Sequence, residues 1–147
     1  MIRQKLQRLA DLSFRDWLWL PPLVLSALAI AMAVKLAPLP GIIRFLDRSA
    51  RHPWIAFLKI GNRLHDLNEL IHLTGFAARI VQGPGCCLSQ SLLRFWLLRS
   101  RQEPAELLIG VAKDGNLLQS HAWIEQQGLA IDAGQELNQT FVPLLRF

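Results

Sequence analysis

The stretch "GPGCCLSQSLLRFWLLRSR", residues 83–101, sets two cysteines side by side between a helix-breaking turn and a run with helical spacing. Gly83-Pro84-Gly85 cannot continue a helix. From Leu88 onward, Leu88, Leu92, Leu93, Trp96 and Leu97 recur every three or four residues, which predicts an amphipathic helix with Ser89, Gln90, Arg94 and Arg101 off its apolar face. Cys86 and Cys87 therefore fall at a helix N-terminus, where unpaired N–H groups and the positive end of the helix dipole favour thiolate over thiol. Adjacent cysteines make a strained disulfide and two cannot build a disulfide framework, which fits a reducing compartment. One or both also suit the role of small buried residues. No second cysteine pair or close histidine pair completes a zinc site, so no metal is expected.

Downstream, Glu103-Pro104 ends the helix and the period changes. "AELLIGVA" (105–112), the turn "KDGN" (113–116), "LLQSHAWIEQ" (117–126), a turn near Gln127-Gly128 and "LAIDA" read as an antiparallel meander, with Asp114-Gly115 as the hairpin signal. "TFVPLLRF" (140–147) supplies a further edge strand, because Pro143 is unwelcome in a central one. Along the second strand His121, Trp123 and Glu125 share one face, and Ala122 and Ile124 the other. A turn centred on Gln126-Gln127 sets His121 directly opposite Asp132. One centred on Gln127-Gly128 sets Asp132 opposite Trp123 and diagonal to His121. Both registers leave His121 and Asp132 on the same face. A thiolate nucleophile needs a general base, and the base needs an orienting group. A cysteine at the helix start, His121 and Asp132 can fill those roles in chain order. Trp123 reads as packing beside them and Glu125 as a solvated acid.

Upstream, the first eighty residues read as wholly helical and carry no evident chemistry. Residues 1–16 are basic and amphipathic, and the 18 residues from Trp17 to Val34 hold no charge. Pro21 and Pro22 are expected to start the apolar helix. Pro22 to Leu36 then spans roughly 22 Å at about 1.5 Å per residue, short of a bilayer core of about 30 Å. A membrane span, a signal peptide with Ala29-Ile30-Ala31 as its small-residue pattern, and a helix buried in the protein or pressed on a partner or membrane surface compete for the segment 17–37. Pro38, Pro40 and Gly41 break it. A helix over Ile42 to about Ser49 follows, then helical spacing at Ile55, Leu58, Leu64, Leu67, Leu70, Ile71 and Leu73 with a break at Gly61-Asn62. His65 and His72 have no third ligand near them and read as ordinary helix residues. With 147 residues the chain fits one domain or a compact domain with an appendage. Its formal net charge of +5 is spread along the chain, without the aromatic-interleaved basic motif that nucleic-acid binding would need.

The segment "CLSQSLLRFWLLRSRQEPAELLIGVAKDG…HAWIEQQGLAIDA" resembles the C-terminal core of lasso-peptide leader peptidases, the microcin-processing, transglutaminase-like cysteine proteases. A CLxxSL helix start, a helix ending in LLR, a PA step, an IGV strand and a strand bearing HAW-hydrophobic-Glu occur in that order over residues 80–135. "RQEP" and Gln90 depart from the usual pattern without touching the three candidate residues. The resemblance implies an α+β fold: a helical N-terminal region (1–80) and a papain/transglutaminase-like core (81–147) of one helix packed on a small antiparallel sheet. It assigns Cys87 as nucleophile, His121 as base and acid and Asp132 as orienter, with the backbone N–H of Cys87 and, as a second donor, Gln82 meeting the oxyanion. No cofactor is implied. The partners implied are a leader–core precursor peptide, a small separate leader-recognition protein and an ATP-dependent cyclase that uses the freed amine. Cytoplasmic placement is expected, with membrane-surface contact through 17–37 as an option. The same three residues also suit acyl transfer to an amine, as in transglutaminases, and a non-catalytic helical membrane or scaffold protein is the reading in which they carry no chemistry.

Overall fold

A computed structural model describes residues 14–55, 65–114, 116–131 and 141–147. Among these residues four helices precede a sheet: α1 (Phe14–Leu36), α2 (Leu39–Ala50), a short 3-10 turn (Pro53–Ile55), α3 (Leu67–Gln82) and α4 (Cys87–Ser100). The strands are β1 (Glu106–Asp114), β2 (Leu117–Gln126), β3 (Leu129–Ala130) and β4 (Val142–Arg146), all antiparallel, in the order β3-β2-β1-β4. The class is α+β, as the sequence implies.

α1 departs from expectation. It does not begin at the prolines but runs from Phe14 through Pro21 and Pro22 without a break. Each proline removes an intrahelical hydrogen bond, and interior proline costs about 3 kcal/mol. The carbonyls freed are those of Trp17 and Leu18, both exposed, where water serves them. Burial on the opposite side offsets the cost: Trp19, Leu23, Ala27 and Ile30 enter the core, and each large apolar side chain fully buried contributes about 1.5–3 kcal/mol. The helix is 23 residues long, about 34 Å at 1.5 Å per residue. Among the described residues it alone is long and apolar enough to cross a membrane, yet one of its faces is built into the protein.

Most of the stretch 55–64, expected as helix, lies outside the described residues. Helix α3 then opens on a capping box: the Glu69 N–H donates to Asp66 Oδ1 (2.7 Å) and the Asp66 N–H to Glu69 Oε2 (3.0 Å). His65 sits just before it rather than within it. It is buried, 2.7 Å from Asp16 Oδ1 through Nε2, and stacked on Trp19 at 4.6 Å. His72 is exposed on α3.

α4 is the centre of the molecule, and here the amphipathic reading fails: none of its residues is exposed. Leu92, Leu93, Leu97 and Leu98 are essentially inaccessible, and its polar residues face neighbouring elements instead of water. Arg94, expected off the apolar face, is buried and donates from Nε to Thr74 Oγ1 (3.0 Å) and from Nη2 to the Ile71 carbonyl (3.0 Å). Trp96 Nε1 donates to Ser49 Oγ (3.0 Å) and Arg99 Nε to Asp47 Oδ1 (2.7 Å). α4 is thereby tied to α3 and α2 by directed bonds as well as by packing.

The sheet follows its turn chemistry. β1 and β2 pair from Asp114 opposite Leu117 to Glu106 opposite Glu125. Gln127 (φ 52°) and Gly128 (φ 80°) form the two-residue turn into β3, the geometry that matches strand twist. β4 is an edge strand, as Pro143 requires.

Candidate active site

The chain leaves α3 through Gly83 (φ 72°), Pro84 and Gly85 (φ 85°), a path glycine takes without strain. Cys86 caps α4, and its carbonyl accepts the first helical bond from the Gln90 N–H (2.9 Å). Cys87 is the first residue inside the helix and is half-buried.

What receives Cys87 is the side of β2 that faces β3. Among the described residues β3 spans two positions, and after it the Ile131 N–H donates to the Ile124 carbonyl (3.0 Å). Two residues earlier, Ala122 turns its backbone groups the same way, and α4 takes them. The Ser91 hydroxyl donates to the Ala122 carbonyl (3.0 Å), and the Ala122 N–H donates to the Cys87 sulfur. Ser91 is the serine of CLxxSL, one helical turn after Cys87 and on the same face. The motif's spacing held this contact, but its partner on β2 could not be read from sequence.

The neighbour of Ala122 is His121, whose side chain hydrogen-bonds Cys87. That bond is the main reason the Cys87 thiol is held below its ordinary pKa. Partial burial opposes it, while the Ala122 N–H, the charge of His121 and the Leu88 N–H at the helix start add to it. Cys86 moves the other way: burial pushes its thiol up. Its sulfur lies 3.9 Å from the Gln90 carboxamide, whose oxygen is best assigned toward the Arg94 guanidinium. The two adjacent cysteines thus sit in opposite environments: hydrogen bonds hold the Cys87 thiol down, and burial pushes the Cys86 thiol up.

His121 lies among aromatic rings. Phe141 stands 5.3 Å from it between centroids, and Trp123 lies nearly parallel (12°) at 6.3 Å. The Trp123 indole passes over Gly110, the residue paired with His121 on β1. A Cβ there would come within 2.7 Å of both the indole and the Val142 carbonyl. Trp123 is packing, as expected. Glu125 is not a solvated acid: it accepts from Trp123 Nε1 (3.0 Å) and from Arg146 Nη2 (3.3 Å), and Arg146 also pairs with Glu106. That correction rests on Arg146, a residue twenty-one positions away that nothing in the local sequence linked to Glu125.

The hairpin through Ile131 adopts the register with its turn at Gln127-Gly128. Asp132 itself lies outside the described residues. Gln82, the last residue of α3, is exposed at the other side of the Gly-Pro-Gly turn. Among the described residues no group of His, Cys, Asp and Glu side chains is arranged to hold a metal ion. A cysteine at a helix start whose sulfur meets an imidazole and two backbone N–H groups is equipped to attack a carbonyl carbon and carry an acyl group.

No curated protein and no solved structure matches the chain. The sequence profile of the Transglutaminase-like superfamily matches residues 29–146, from the middle of α1 to the end of β4. The chain belongs to the Transglutaminase-like superfamily, whose activities are of the cysteine-protease or acyltransferase type.

Proposed function

We propose that the chain is a cysteine peptidase that removes the leader from a ribosomally made lasso-peptide precursor. The observation that carries a peptidase is the hydrogen bond between His121 and a Cys87 thiol already biased toward thiolate at the start of α4; the substrate class rests on the CLxxSL…HAW-hydrophobic-Glu resemblance. The Cys87 thiolate attacks the carbonyl carbon of the scissile bond. The Cys87 N–H, with Gln82 as second donor, meets the oxyanion. His121, made imidazolium by the proton it took from the Cys87 thiol, gives that proton to the leaving amine as the C–N bond breaks, leaving a thioester on Cys87. Next His121 takes a proton from water, the hydroxide displaces the sulfur, and the thiol is restored with release of the leader carboxylate. Asp132 holds the imidazole tautomer, a role that rests on the resemblance. The freed core amine goes on to an ATP-dependent cyclase, and a separate small protein presents the leader.

The test is incubation with a leader–core precursor, read by mass. Two fragments are expected. Cys87→Ala abolishes them and Cys86→Ala leaves most of the activity. A cross-linked adduct in place of fragments makes the protein an acyltransferase. Equal loss in both cysteine variants removes Cys87 from the nucleophile's place. A Cys87 that labels with a thiol probe no faster in the native protein than in His121→Ala returns the set to coincidence.

A further inference from the structure

The outer face of α1 is uncovered among the described residues. On a 3.6-residue helix Phe14, Leu18, Leu25, Leu28, Met32 and Leu36 fall in one stripe along the whole element, each between 48% and 84% exposed. A groove of about 460 Å³ opens beside it, between α1 and α2, walled by Ala29, Ala33, Ile42 and Phe45. A continuous apolar surface of this length marks a site of interaction rather than scattered exposure.

The charges flanking it are of one sign. Arg15, Lys35, Arg44 and Arg48 are exposed on α1 and α2. The only two acids of these helices are engaged elsewhere: Asp16 with buried His65, and Asp47 with Arg51 and Arg99. Trp17 and Phe45, both more than half exposed, add rings of the kind that settle at headgroup depth.

We propose that this face lies on the surface of an anionic lipid bilayer, with α1 in the plane of the headgroups, its stripe dipping into the acyl boundary and the four cations on lipid phosphates. α1 lies along the membrane and does not cross it, because its other face, with Trp19, Leu23, Ala27 and Ile30, is part of the core. A second copy is a poor occupant: a two-fold pairing of this face would bring both sets of four cations together.

The test is co-sedimentation of the full chain with extruded vesicles of phosphatidylcholine with and without phosphatidylglycerol. Binding is expected to the anionic vesicles and to fall about tenfold or more with phosphatidylcholine alone or in about 0.5 M salt. Leu25→Gln with Met32→Gln, and separately Arg44→Glu with Arg48→Glu, should each lower it about tenfold while circular dichroism stays unchanged. If the apolar pair unfolds, the arginine pair decides alone. Absence of binding to anionic vesicles overturns the proposal. So does binding that the folded variants leave untouched, or a dimer in vesicle-free solution that Leu25→Gln with Met32→Gln dissolves.

Discussion

α1 and α4 invert one another. Between Trp17 and Val34 α1 carries no charge on any side, yet its outer half is exposed. α4 carries serines, a glutamine and two arginines, yet no residue of it is exposed. Composition therefore does not sort these helices; position does. α4 is surrounded by α2, α3, α1 and the sheet, so each polar side chain it brings must find a protein partner, and Ser91, Arg94, Trp96 and Arg99 do. α1 lies at the rim, where one apolar face suffices for folding and the other is left for something else.

The sharpest way to break this contrast is to make the same change in both helices. Leu92→Ala, at a wholly buried position of α4, is expected to cost about 3 kcal/mol in urea unfolding, through lost burial and the cavity left behind. Gly110→Ala tests the packing within the sheet beside His121. Its Cβ meets the Trp123 indole and the Val142 carbonyl at 2.7 Å, and a loss of about 1–3 kcal/mol is expected, with slower cleavage. His121→Ala should change stability little but move the pH midpoint of Cys87 alkylation upward, followed in a Cys86→Ala background. The imidazole is the largest cause holding the thiol's pKa down, so removing it returns thiolate formation toward the ordinary range. In the parent protein Cys87 should stay reactive at pH values where Cys86 is silent. The same depression stabilises the fold above the ordinary thiol pKa, and that contribution is lost as the pH falls through the lowered value. The smallest effect closes the series: Leu25→Ala, two-thirds exposed on α1, should shift stability by no more than about 0.5 kcal/mol. A large loss there would mean that the outer face is already covered.

Features legible in the sequence were local. Gly-Pro-Gly followed by helical spacing located the start of α4, Gln127-Gly128 located a turn, and Pro143 marked the edge strand; at the first hairpin the strand pairing extends to Asp114, opposite Leu117. Cys87 and His121 were singled out by the order of cysteine, histidine and aspartate and by the family resemblance, and the two side chains are in contact. What could not be read depends on residues far apart. Asp16 meets His65 across 49 positions and Arg99 meets Asp47 across 52. Arg94 looked like a surface residue because its acceptors, Thr74 and the Ile71 carbonyl, lie on another helix. The passage of α1 through two prolines was misread for a related reason: proline's cost is a property of the local chain, whereas the burial that outweighs it comes from α3 and α4.

The docking of α4 against β2 has a consequence for how the protein tolerates change. At Ala122 a main-chain N–H and the imidazole of the adjacent residue converge on one sulfur. The reach from thiol to imidazole is set by how α4 seats against that one peptide unit, whose carbonyl Ser91 holds from the same helix face. A one-residue slip of β2 would turn His121 to the opposite side and erase the site at once. Registry of that strand is therefore what a substitution must first preserve.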